Sequence, residues 1–69
     1  MKLNQLQNAK RAFEVRSQVR SSARRELREL FQNGEVSVKL FRHRTKLLSA
    51  EQRADEKATG FAFDSAAFA

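Results

Sequence analysis

Four arginines, Arg16, Arg20, Arg24 and Arg28, stand four residues apart in the stretch VRSQVRSSARRELRELF. On an α-helix that spacing stacks them in one row, each about 6 Å from the next. Like charges at this spacing weaken an isolated helix by roughly 0.2–0.5 kcal/mol per pair. No Asp or Glu lies three or four residues from any of the four, and Glu29 can reach only Arg25. The helix therefore does not neutralise the row from within. A guanidinium binds phosphate bidentately and stays charged at every relevant pH. Ser17, Gln18, Ser21 and Ser22 supply short polar donors beside the row, which suits contacts to a phosphate backbone. The competing explanation is an ordinary solvated surface. With no aromatic interleaved between Val15 and Arg28, stacking on single-stranded bases is not expected.

A second basic cluster follows, Lys39, Arg42, His43, Arg44 and Lys46. It is either a second clamp on the same polyanion or an exposed helix face. His43 is the single His, and the chain has neither Cys nor Tyr. A general base flanked by cations could serve RNA cleavage, but no second proton donor of that kind is present. One His and no Cys offer no metal site of the usual ligand types. Phosphate-binding glycine loops and nucleophile triads are missing too. The expectation is a non-enzymatic protein with no cofactor, no metal and no small-molecule substrate.

The last nine residues, FAFDSAAFA, hold Phe61, Phe63 and Phe68, half of the six Phe in the chain. A segment so apolar is expected to dock. It closes either on the chain's own Leu27, Leu30 and Phe31 or in a partner's pocket, where aromatic anchors are typical.

The elements that must carry these residues are helical. Between Leu3 and Gln32 there is no Pro or Gly. Leu3, Leu6, Ala9, Ala12, Val15, Val19, Ala23, Leu27 and Leu30 recur in steps of three and four, which predicts one long amphipathic helix. Its stripe thins to Val and Ala in the middle, where Arg16 and Arg20 enter the same sector. That predicts two anchored ends and a solvated or ligand-facing middle. Asn33-Gly34 predicts the stop. In residues 35–48, Val36, Val38 and Leu40 alternate with polar residues as a short strand would. Without a pairing partner, a helix capped by Ser37 is the better reading. Ser49 to Gln52 fits a capping box, which predicts a further short helix from about Ala50 to Lys57, ending at Thr59-Gly60. The fold class is thus all-α: a long N-terminal helix, a Gly turn, one or two short helices, and an apolar tail. Residues 1–60 form one small domain and 61–69 a docking tail.

Sixty-nine residues bury only about 60% of their unfolded surface. Without disulfide or metal, the remaining source of stability is a partner. The net charge of +6 is uneven. Residues 1–48 carry twelve Lys/Arg against four acids, and residues 49–69 two against four. No apolar run suits a membrane span or a signal-peptide core, so the cytoplasm, or a particle assembled there, is the expected location. The function expected is weakly sequence-specific binding of DNA or RNA phosphates through Arg16, Arg20, Arg24, Arg28, Lys39, Arg42, Arg44 and Lys46. The alternative is a structural subunit or adaptor of a larger assembly, a virion or ribonucleoprotein, held by the long helix and by Phe61, Phe63 and Phe68. Either way a homo-oligomer or larger protein assembly is expected.

Overall fold

The computed structural model describes residues 2–64. It is an antiparallel helical hairpin of α1 (Leu3–Gln32) and α2 (Val38–Thr59), with no strand among the described residues. α1 runs uninterrupted because nothing in it breaks the backbone hydrogen-bond ladder. It stops where Gly34 takes a left-handed conformation, φ 76°. The Gly34 N–H donates to Phe31 O at 3.1 Å and the Glu35 N–H to Leu30 O at 2.9 Å. This pair of bonds satisfies carbonyls that the helix end would leave bare.

Ser37 then caps α2, its Oγ accepting from the Leu40 N–H at 3.1 Å. Val36, Val38 and Leu40 are therefore not a strand. The further helix predicted to start at Ala50 is also corrected: α2 is one helix of 22 residues. Ser49 and Gln52 have the residue types of a capping box, but no Gly or Pro between Glu35 and Thr59 ends the helix before them. Their side chains are turned to the other helix instead. α2 closes at Gly60, φ 78°, whose N–H donates to Glu56 O at 2.8 Å.

The two helices meet along matched positions. The partly or fully buried positions include Phe13, Ser17, Arg20, Arg24, Leu27 and Phe31 of α1 and Thr59, Asp55, Gln52, Leu48, Thr45 and Phe41 of α2. Among them Arg20 bonds Gln52 and Asp55, Ser17 accepts from Gln52, and Phe31 stacks on Phe41. Both sets advance by alternating steps of four and three, the spacing of a coiled-coil seam. Aromatic contacts close both ends. Phe31 stacks on Phe41 beside the turn, ring centroids 4.5 Å apart, and Phe61 tilts against Phe13 at the open end, 5.6 Å apart. Between these ends the seam is largely polar, Leu27 and Leu48 excepted. Phe13 and Ser17 are the only fully buried side chains among the described residues, so the hairpin has almost no apolar core. α1 is the longer helix, and Leu3 and Leu6 near its start are exposed.

Candidate functional site

Three of the four arginines of the row, Arg16, Arg20 and Arg24, are bonded to α2, while Arg28 is exposed. Arg16 donates through Nε and Nη2 to both carboxylate oxygens of Asp55, at 2.9 Å each. Arg20 donates to Asp55 Oδ2 from Nη2 and to Gln52 Oε1 from Nε. Arg24 donates to Ser49 Oγ. Gln52 in turn donates to Ser17 Oγ at 3.0 Å and to Glu56 Oε2 at 3.4 Å. The row is unneutralised by its own helix, as its spacing requires, but α2 supplies the missing acceptors. Arg16, Arg20 and Arg24 therefore already have acceptors on α2, whereas Arg28 forms no ion pair among the described residues. For Arg20, whose side chain is only 14% exposed, the physical reason is burial: a guanidinium pressed between helices must be hydrogen-bonded or bear the cost of desolvation. Arg16 is 46% exposed.

The electrostatics of Asp55 follow from this geometry. Hydrogen bonds from Arg16 and Arg20 hold its carboxyl well below the ordinary 3.8, to about 2, against the opposing effect of burial. The same bond raises the Arg16 guanidinium above its usual value. The Arg20 and Asp55 side chains are only 14% and 13% exposed. Their pairing belongs to the folded hairpin and not to its solvated surface.

The other predicted cations divide between two flanks of the hairpin. At about 100° per residue, positions one before the seam turn to one flank and positions one after it to the other. Arg28 on α1 and Arg42 and Lys46 on α2 fall on the second flank. Arg25 and Arg53, not among the residues expected from sequence, fall there too. Lys39, Arg42, His43 and Lys46 line one open surface near the start of α2, together with Ser37, Leu40, Phe41 and Thr45. Arg25, Arg28, Lys39, Arg42, Lys46 and Arg53 are all exposed, and none forms an ion pair among the described residues. The acids on this flank, Glu14 and Glu56, lie toward the open end. Arg25 and Arg53 could have been found by continuing the four-three seam along both helices and stepping one residue on, a signal present in the sequence.

Arg44 is separated from its cluster. It lies on the first flank, in a shallow groove lined by Ala23, Leu27, Leu30, Val36, Leu40, Leu47 and Leu48, with Glu26 and Glu51 at its rim. The groove is the apolar stripe of α1 joined to the matching stripe of α2.

Of the three phenylalanines, Phe61 rests on Phe13. Phe63 is half-buried, with its N–H donating to Glu56 Oε2 at 3.2 Å. Phe68 lies outside the described residues. Among the described residues no group of His, Cys, Asp and Glu gathers as metal ligands would, and no helix is long and apolar enough to cross a membrane. No family model, no curated protein and no solved structure matches the chain.

Proposed function

We propose that this protein binds the phosphate backbone of nucleic acid through the basic flank of its hairpin. Arg28, Lys39, Arg42 and Lys46 are the main contacts, joined by Arg25. The observation that carries this function is the concentration of these five exposed cations on the turn half with no acid partner among the described residues, while Arg16 and Arg20 share Asp55 and Arg24 bonds Ser49. Arg16, Arg20 and Arg24 then serve to close the hairpin that presents the flank, and Arg44 stands apart from it.

Contact of this kind is electrostatic. Phosphate contacts fix the position of a protein on a duplex but carry no sequence information, so weak sequence preference follows. Five neutralised phosphates correspond to a slope of about −4 to −5 in log K against log salt for duplex DNA. Fluorescence anisotropy of a labelled duplex across a salt series tests this. A slope near zero, or no binding at low salt, removes the proposal.

The second function kept is that of a structural subunit or adaptor, favoured by the exposed apolar groove. It predicts an association that survives high salt, because apolar burial is not screened.

A further inference from the structure

We propose that the apolar flank is the interface for a second copy of this chain, packed antiparallel across a two-fold axis at Leu47 to give a four-helix assembly. The two helices alone bury almost nothing apolar, whereas Val19 is 63%, Leu40 40% and Leu47 45% exposed on or beside this flank.

The pattern on α2 specifies the occupant. Leu40, Arg44, Leu47, Glu51 and Ala54 advance by four, three, four and three, a second seam displaced by one residue from the seam that faces α1. This stripe is complementary to itself read backwards. A two-fold axis through Leu47, perpendicular to the helix, sets Leu47 against its own copy. It brings Arg44, three residues before the axis, within one residue of the level of Glu51 of the other copy, four after it, and it sets Leu40, seven residues before the axis, against Ala54, seven after it. Leu47 thus packs on Leu47, Leu40 meets the small Ala54, and each charge lies beside its opposite. On α1, Leu47 is level with residue 25 by the hairpin's own register, so the same axis carries Val19 toward Leu30 of the second copy. The parallel arrangement places Arg44 against Arg44 and Glu51 against Glu51, which is repulsive. A two-fold interface must be self-complementary in this way, and an unrelated partner would not require it. The basic flank lies on the opposite side of the hairpin and stays open.

The test is sedimentation equilibrium of the full chain without nucleic acid, with helicity followed by circular dichroism. The expected species has twice the 7.9 kDa chain mass. Arg44→Glu and Glu51→Arg each weaken self-association about tenfold or more, and the double exchange Arg44→Glu with Glu51→Arg restores it to within about threefold, since the pair is re-formed in reverse. The rescue separates a lost interface from a misfolded chain. A chain that stays monomeric at about 100 µM, far above the dissociation constant of a standard interface, overturns the proposal. So does a double exchange no better than its single variants. A chain that dimerises only after residues 65–69 are removed also overturns it, because the groove is then occupied by the chain's own tail.

Discussion

Arg20 and Asp55 are thirty-five residues apart in the chain, and the guanidinium of one donates directly to the carboxylate of the other in the middle of the helical seam. Arg16 and Gln52 extend that contact to either side. The centre of the hairpin is thus held by charge-assisted hydrogen bonds, and the aromatic contacts lie at its two ends.

Asp55→Asn should destabilise the hairpin by about 1–3 kcal/mol, the range for a hydrogen bond to a charged group. Arg20→Glu should do more, because it sets a carboxylate against Asp55 and leaves Gln52 without its donor. Thermal melts by circular dichroism measure both. If Arg20→Glu keeps the wild-type melting temperature, the seam is not what holds the helices together.

The pH dependence has a definite sign. Asp55 is more acidic folded, about 2, than its ordinary value of 3.8. Its contribution to stability is therefore complete above about pH 5 and is lost as the pH falls through 4 toward 2. An acid titration of helicity should show this loss in the wild type and a smaller one in Asp55→Asn. Equal acid sensitivity in the two chains would assign the loss to other carboxylates.

Arg42→Glu with Lys46→Glu should abolish duplex binding at moderate salt while leaving the melting curve close to that of the wild type. Neither side chain contributes an ion pair among the described residues. Arg28→Ala should weaken binding more mildly and reduce the salt slope by about one. Wild-type anisotropy for the double variant at matched salt would show that the flank is not the contact surface.

Phe61→Ala removes the ring that rests on Phe13. Full burial of such a side chain contributes about 1.5–3 kcal/mol, and Phe61 is half-buried, so a cost of about 1–2 kcal/mol is expected in chemical denaturation. A variant as stable as the wild type would free Phe61 for a partner, as the structural-subunit function requires.

Much of the fold was legible in residues 2–64. The absence of Gly and Pro from Leu3 to Gln32, and the three-four recurrence of Leu, Val and Ala, determined α1 with its bounds. Ser37 marked the start of the second helix. The thinning of the apolar stripe in the middle of α1 predicted two anchored ends and a solvated or ligand-facing middle; instead Arg20 and Arg24 there meet α2, and Leu3 and Leu6 at the start of the helix are exposed.

What occupies that middle was decided by the tertiary structure. Along α1 alone, Arg16, Arg20 and Arg24 have no acid within reach, because intrahelical pairing extends only three or four residues. Asp55, Gln52 and Ser49 come into reach when the turn at Gly34 folds α2 back in register. A helical period states which residues share a face, but not which face meets the neighbouring helix. Two stripes offset by one residue compete for that place on each helix. One combines phenylalanine ends with a polar centre, and the other is the Leu-, Val- and Ala-bearing groove. The polar stripe faces the partner helix because its arginines find acceptors there, while the apolar stripe is left outward. The same choice moves Arg44 away from Arg42 and Lys46, and gathers Arg25, Arg28 and Arg53 with them.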